Sequence, residues 1–432
     1  MNTNMIILLK QQCPDLEQLL DIINQKDAAF WLVGGCLRDL VMDRPVNDID
    51  LACDGDPTEL AKKWSRMVNG RWFWLDKERL QSRVLLSNSL HVDFSPLRAP
   101  SLIEDLELRD FTINSMAISC SEPDRLIDPF NGKDDIGLGC LRPTSARSFP
   151  DDPLRMLKGV RHAVTLDMAC MPETVADIRK HAQLMSQISG ERIREELMGI
   201  LTSDDPVSGL DLLWKSGLLA ALFHIEQEEI DADWWSLLDG LAELCQNLKE
   251  VERQWVKTIH DLSENIEFKH LRAIYLLVQV VQLLQPENLS GLLHDRLRLS
   301  RYEQRLVESL VNLKGHYSHY LSEFNSTTFE RTRALVVEQL EPYSLEKMLY
   351  ISLFDERLSF QQSIDLHRCF SAWQAMGRVP DLISGQQIQK IADCPSGSAI
   401  GEWHRKLKQA EINGEIANVD DAEEWLKKQI SI

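Results

Sequence analysis

Asp48 and Asp50 stand two residues apart in the run Asn47-Asp-Ile-Asp-Leu51, close behind Leu32-Val-Gly-Gly-Cys-Leu-Arg-Asp39. On an extended strand that spacing points both carboxylates to one face and sends Ile49 and Leu51 toward a core. Paired acids repel unless a cation lies between them, and hard oxygen ligands suit Mg²⁺. The apolar run Phe30 to Val33 predicts a short buried strand. Gly34-Gly35 then permits a tight turn with backbone N–H groups exposed at the start of a helix over Cys36 to Met42, where an anion would sit. An anion cradle beside two same-facing acids is chemistry for a nucleoside triphosphate.

A third acid, Asp93, lies in the strand-like run Ser89 to Pro96, with Val92 and Phe94 on the opposite face. Three carboxylates from neighbouring strands could hold two divalent ions, activating a hydroxyl and neutralising a leaving pyrophosphate, which is nucleotidyl transfer. Arg109, Asp110 and Asn114 are polar residues inside apolar text, so they must be paired or functional. The turn-rich run Leu126 to Gly132 is open to two readings, a structural hinge or a ligand contact. Asp152 fits a helix N-cap with Pro153 at the first helical position, and Asp152, Arg155 and Lys158 recur along one side, with Arg161 continuing it. That edge is either a cap with surface ion pairs or a set of donors and acceptors for a nucleobase.

The elements that must position these groups follow from the patterning. Up to about residue 145 short strand-like runs (30–34, 48–53, 71–75, 83–86, 91–95) alternate with helices, the clearest over Thr58 to Met67, and predict a mixed α/β unit. Beyond Pro150 long helical periodicity takes over, as in 153–166, 191–201, 207–222, 234–248 and 270–284. Breaks at 285–287, 317–326 and 393–398 divide the helical part into groups. Trp214, Trp234 and Trp235 are assigned to packing.

Bulk properties narrow the function. A chain of 432 residues needs two to four structural units. The nine cysteines form no Cys-x-x-Cys pair, which argues against a zinc site or disulfide framework. No run is apolar for long enough to span a bilayer and no secretory signal is evident, so a cytoplasmic location is expected. A net charge of −20 excludes nonspecific coating of nucleic acid and confines any RNA contact to local basic sets. Arg296, Arg298, Arg301 and Arg305 are one such set if most share a helical face, or else a solvated helix surface. His260-Asp261 and His294-Asp295 lack the partners a metal phosphohydrolase needs.

Taken in order, these segments resemble the class II tRNA nucleotidyltransferases, the family of CCA-adding enzymes and bacterial poly(A) polymerases. Gly34-Gly35-x-x-Arg38-Asp39 with Asp48-x-Asp50 is similar to the family's metal and triphosphate motif, and Arg109-Asp110-Phe-Thr-Ile-Asn114 to its ribose-sensing motif. Asp151-Asp152-Pro-Leu-Arg155 resembles the base-selecting Glu-Asp-x-x-Arg element, and Glu191-Arg-Ile-Arg-Glu-Glu-Leu197 the helix motif that follows. The resemblance covers roughly residues 28 to 200.

It implies an α+β, polymerase-beta-like nucleotidyltransferase head with a mixed sheet over 1–145. A helical neck carrying the base-recognition helix would occupy 146–225, and an all-α body and tail for the tRNA acceptor arm 226–432. By the same resemblance Asp48 and Asp50 would ligate Mg²⁺ with Asp93 as the third acid. Gly34, Gly35 and Arg38 would hold the triphosphate of CTP or ATP, and Arg109, Asp110 and Asn114 would sense the ribose. Asp152 and Arg155 would select the base, and Lys158 and Arg161 would line the nucleotide's charged side. Leu108 stands where the family has a further Arg. Only ten residues separate Arg98 from Arg109, where the family carries a longer flexible loop that helps switch from C to A addition. A short loop is a feature of relatives that add only the two C residues, which would require a separate A-adding enzyme as partner. Full CCA addition, poly(A) synthesis and a non-catalytic RNA-binding role are the alternatives.

Overall fold

A computed structural model describes residues 5–87, 90–225, 231–258, 268–313, 331–354, 359–375, 381–393, 397–413 and 415–430. The chain divides into two compact units, Met1–Trp234 with Pro286–Leu299, and Trp235–Gln285 with Ser300–Ile432.

The first unit opens with helices α1 (Met5–Gln12) and α2 (Leu16–Ile23), followed by β1 (Phe30–Val33), α3 (Gly35–Val41), β2 (Asp48–Cys53) and α4 (Thr58–Met67). Next come β3 (Arg71–Asp76), β4 (Gln81–Leu85), β5 (His91–Pro96), α5 (Leu102–Glu107), β6 (Ala117–Ser119), β7 (Leu126–Ile127) and α6 (Gly132–Gly137). The seven strands form one sheet in the order β3-β4-β5-β2-β1-β6-β7. Only β2 and β5 run parallel; every other neighbouring pair is antiparallel. Alternation along the central strands is what the sheet demands: Ile49, Leu51, Val92 and Phe94 are buried to 1% exposure or less, while Asp48, Asp50 and Asp93 lie on the other face. The buried face packs on α1, α2, α3 and α4 through Leu9, Leu16, Leu37 and Trp64.

After β8 (Cys140–Leu141) the first unit becomes helical, with α7 (Ser148–Asp151), α8 (Leu154–Leu166), α9 (Pro172–His181), α10 (Gly190–Leu201), α11 (Pro206–Lys215) and α12 (Leu218–Phe223). Helix α8 packs against α10 and α11 and also against the sheet-bearing part of the unit. There the absence of a side chain at Gly159 lets Phe111 approach, and Phe111 meets Phe149 and His162 edge-on at 6.3 and 5.9 Å. The helix expected over 207–222 is two helices. Gly217, at φ 72°, ends α11 in the left-handed conformation that favours glycine. Trp214 and Trp234 are buried and stacked at 4.6 Å. Trp235 is 54% exposed, against the packing assigned to it, because consecutive helix positions lie about 100° apart and only Trp234 faces inward.

The regular elements described in the second unit are all helices, with Phe268–Leu284, Arg301–Val311, Ser344–Phe354 and Ser398–Ile412 among the longer ones. Apolar clusters within it gather around Leu335, Met348, Leu366 and Phe370 and around Ile388, Leu407 and Leu426. Of the expected breaks, 285–287 coincides with a change of unit, and 317–326 lies outside the described residues. No helix among the described residues is long and apolar enough to cross a membrane.

Candidate active site

The β2–β5 register brings the three acids together. Asp50 pairs with Asp93 directly across the parallel ladder, and Asp48 pairs with His91. Neighbouring strands lie about 4.8 Å apart, so the third acid stands within reach of the first two. Next in the same row, Asp50 faces Val33, after which the chain turns at Gly34.

Gly34 has φ 81° and ψ −143°, a conformation essentially restricted to glycine. A methyl group there would sit 2.7 Å from Asp50 Oδ2 and 2.9 Å from Arg109 Nη1, so the carboxylate and the guanidinium flank the turn. The Gly34 N–H donates to Met116 O at 3.3 Å, which corrects the expectation that this group is exposed for an anion.

Arg38 folds back beside Gly35, where its Nη2 would lie 3.4 Å from an added Cβ. Its Nε donates to Asp39 Oδ1 (2.9 Å) and its Nη1 to Asn114 Oδ1 (2.8 Å). Asn114 in turn donates through Nδ2 to Asp110 Oδ1 (3.0 Å), which also accepts from the Phe111 N–H (2.8 Å). One chain of hydrogen bonds thus links the Gly34–Asp39 segment to the Arg109–Asn114 segment. Burial opposes ionisation of Asp110, but the Asn114 amide, the Lys158 charge and the Phe111 N–H hold its carboxyl below the usual range. Burial pushes His162 the other way, down to about 3, so its imidazole is neutral.

Burial raises Asp50 to about 6 against the pull of Arg109, with Asp93 and Asp48 adding repulsion. A carboxylate that costs this much to ionise beside two others is one a divalent cation would relieve, so the donor set fits Mg²⁺. Among the described residues no group of three or more His, Cys, Asp or Glu side chains is placed to hold a metal ion. Mg²⁺ sites of nucleotide enzymes need no such group, because one or two carboxylates are completed by substrate phosphates and water.

Two features escaped the sequence reading. Arg83, on β4 opposite Asp93, donates Nε to Oδ1 (2.7 Å) and Nη2 to Oδ2 (2.8 Å), a bidentate clamp on the third acid. The short Arg98–Arg109 connection is an ordered helix, α5, N-capped by Ser101. Its Asp105 is 1% exposed and accepts from Arg98 N (2.9 Å) and Nε (2.9 Å), with Arg109 Nη2 at 3.5 Å. Burial alone would raise the Asp105 carboxyl; the hydrogen bonds and charge of Arg98, helped by Arg109, hold it below the usual range.

Of the residues expected to read the base, Arg155, Lys158 and Arg161 stand on α8 and Asp152 just before it, and Asp152, Arg155 and Arg161 have protein partners. Asp152 Oδ1 accepts from the Leu154 N–H (3.3 Å), and its carboxylate pairs with Arg192 at 3.1 Å. Arg155 donates to Leu108 O (2.7 Å), Arg109 O (3.3 Å) and Ser148 O (3.3 Å), tying α8 to the ribose motif. Arg161 Nε donates to Glu196 Oε2 (2.6 Å) on α10. In the 126–132 run, Asp128 caps the Gly132 and Lys133 N–H groups at the start of α6, a structural role.

The four arginines from 296 to 305 do not share one helical face. Arg298 takes φ 47° and breaks the chain between two helices. Arg296 donates to Met185 O (2.7 Å) and Ile188 O (3.3 Å), Arg298 pairs with Glu191 at 3.4 Å, and only Arg301 and Arg305 lie on one helix. His294 pairs with Asp295 (2.7 Å), both exposed. His260-Asp261 lies outside the described residues.

Comparison with known proteins agrees with this construction. Residues 30–142 match the poly(A) polymerase head domain, and residues 167–232 match the probable RNA and SrmB-binding site of polymerase A. The CC-adding tRNA nucleotidyltransferase of Geobacter sulfurreducens is 30% identical over 416 residues, covering 93% of this chain and 92% of that protein. A solved CCA-adding enzyme in complex with CTP superposes with TM-score 0.66 at 21% identity, covering 100% of this chain and 99% of that one. The Thermotoga maritima CCA-adding enzyme, solved in complex with tRNA, superposes with TM-score 0.59 at 22% identity, covering 95% and 93%. At those identities the two structures establish the fold: a mixed α/β head followed by helices. Sequence, fold and the Asp48–Asp50–Asp93 register agree, and the chain is a nucleotidyltransferase belonging to the class II tRNA nucleotidyltransferase and poly(A) polymerase family.

Proposed function

We propose that this chain adds nucleotides to the 3′ end of tRNA without a nucleic-acid template, placing the two C residues of the CCA end from CTP and releasing pyrophosphate. The observation that carries the reading is the in-register placement of Asp48, Asp50 and Asp93 beside the Gly34 turn, with Arg109 on its other side. Asp48 and Asp50 would hold Mg²⁺, which when bound makes the tRNA 3′-hydroxyl a better nucleophile and offsets charge on the departing pyrophosphate. Gly35 and Arg38 bind the triphosphate, and Arg109, Asp110 and Asn114 sense the ribose, the last two through the network that joins them to Arg38.

Asp152 and Arg155 select the base while staying anchored. A carboxylate has about four acceptor positions and a guanidinium five donors, so the contacts to Arg192 and to the backbone carbonyls leave capacity for a cytosine edge. Lys158 and Arg161 line the charged side of the nucleotide, 146–225 serves as the neck, and the helices of 226–432 form the platform for the tRNA acceptor arm.

Restriction to C is supported by α5. The segment that would have to change shape to admit ATP is a capped helix, closed by a buried carboxylate and four residues from Arg109. Supplying the chain with Mg²⁺, tRNA lacking its terminal triplet, labelled CTP and ATP, and sequencing the products tests this directly. Products ending in CC are expected. Efficient terminal A makes it a full CCA-adding enzyme, long A tails on unrelated RNA make it a poly(A) polymerase, and tRNA binding without pyrophosphate release removes the catalytic assignment. Asp48→Ala is expected to abolish incorporation while the fold persists.

A further inference from the structure

Asp93 differs from the other two acids in having both oxygens committed to protein. It lies between Asp50 on one side of its strand and Arg83 on the other, and Arg83 grips it in a two-pronged fork at 2.7 and 2.8 Å. Fork-to-fork pairing of this kind is the strongest arrangement open to the two side chains. The plain reading is a cross-strand ion pair that steadies the sheet. Its placement argues for more. Arg83, Asp93 and Asp50 stand in one row on the site face, Asp48 adjoins them, and the Arg83 charge is felt by all three acids. The neighbouring positions on β4, Ser82 and Val84, point into the core, so Arg83 is the residue of that strand segment that faces the site.

We propose that Arg83 is a built-in counter-cation that keeps Asp93 as a positioning residue, leaving Asp48 and Asp50 as the carboxylates offered to the divalent ion, so that the Arg83–Asp93 pair sets how tightly the ion is held. This rests on the assignment of Asp48 and Asp50 to the ion. The fixed positive charge lowers affinity for the ion in the nucleotide-free enzyme and favours delivery of the ion together with the triphosphate.

The test is Mn²⁺ binding to the full chain without nucleotide, followed by electron paramagnetic resonance. Arg83→Gln unmasks a carboxylate and removes a nearby positive charge, so binding is expected to tighten by about tenfold. Asp93→Asn leaves Arg83 facing Asp48 and Asp50, so binding is expected to weaken by about tenfold. The double variant Arg83→Gln with Asp93→Asn removes a neutral pair, and its affinity is expected within about threefold of the parent. If the double variant instead loses as much affinity as Asp48→Asn, Asp93 is a ligand and the proposal is overturned; unchanged binding in Arg83→Gln overturns it as well. Should Arg83→Gln fail to fold, as judged by its thermal midpoint, the double variant, which leaves no unpaired charge, carries the decision. Parent-like Mn²⁺ binding by Asp48→Asn would count against the ion assignment itself, a separate failure.

Discussion

Replacing Gly34 with alanine perturbs the site at the point where fold and chemistry meet. Two costs can be worked from the structure. The backbone at φ 81°, ψ −143° lies outside the space open to a residue with a Cβ, which costs about 1–3 kcal/mol where it is enforced. The new methyl would stand 2.7 Å from Asp50 Oδ2 and 2.9 Å from Arg109 Nη1, closer than carbon and a polar atom can approach. Asp50 is a short side chain in the middle of the sheet and Arg109 is held by buried Asp105, so relief requires moving one of the groups proposed for the reaction. Displacement of about 1 Å is enough to lower turnover by about 10²-fold. The thermal midpoint should fall by roughly 2–4 °C per kcal/mol for a unit of this size. Gly35→Ala is the matched control: the three atoms nearest an added Cβ there all belong to the flexible end of Arg38, at 3.4 Å or beyond, and the position is helical. Its midpoint is expected to hold or rise. CTP incorporation onto tRNA lacking the CCA end, with kcat and KM separated, and thermal melting of both variants provide the measurement. Parent-like turnover and melting in Gly34→Ala would refute the argument that the turn is pinned between the acid and the guanidinium, and equal stability losses in the two variants would refute the strain.

Three further outcomes follow from buried groups near the site. Asp105→Asn removes the charge that organises Arg98 and Arg109, and should cost about 1–3 kcal/mol and speed amide hydrogen exchange across 98–109; unchanged exchange would mean that α5 is held by its apolar side alone. Gly132→Ala would place a methyl 2.2 Å from the Thr112 carbonyl oxygen, forcing the turn that carries Asn114 to move, with a loss of about 1–3 kcal/mol and of activity although no site residue is altered; an unaffected enzyme would refute the rigidity of that contact. His162 has its pKa depressed by burial from 6.5 to about 3, so the unfolded chain binds a proton that the folded chain refuses between those values. Stability is therefore complete above pH 6.5 and is lost as pH falls, by roughly 2–3 kcal/mol at pH 4.5. His162→Leu should melt with less acid sensitivity than the parent, and identical pH profiles would contradict the neutral imidazole.

What the sequence made legible was governed by distance along the chain. Alternation in Asp48-Ile-Asp-Leu51 and in Val92-Asp-Phe94 declares the exposed faces of β2 and β5 locally, because a strand repeats every two residues. That the two strands are parallel neighbours with Asp50 beside Asp93 depends on a pairing of residues 43 positions apart in the chain, and no local pattern carries it. Arg83 was missed for the same reason: its side of β4 is unremarkable until the register of the β4–β5 ladder places it opposite Asp93. Helix α5 was available locally, since Ser101 and Glu104 have capping-box spacing, but Ala99-Pro100-Ser101 reads as loop, and the buried role of Asp105 comes only from Arg98 folding back on it. The arginine row from 296 to 305 errs in the opposite direction. Its spacing is helical, yet Arg298 at φ 47° interrupts the helix that the spacing assumes, and Arg296 turns to carbonyls near residue 188. Charged residues therefore divide by what fixes them. Those set by strand period could be assigned to a face from the text, whereas those set by a distant partner could be assigned only a charge. The clamped third acid and the α5 carboxylate held by Arg98 belong to the second group.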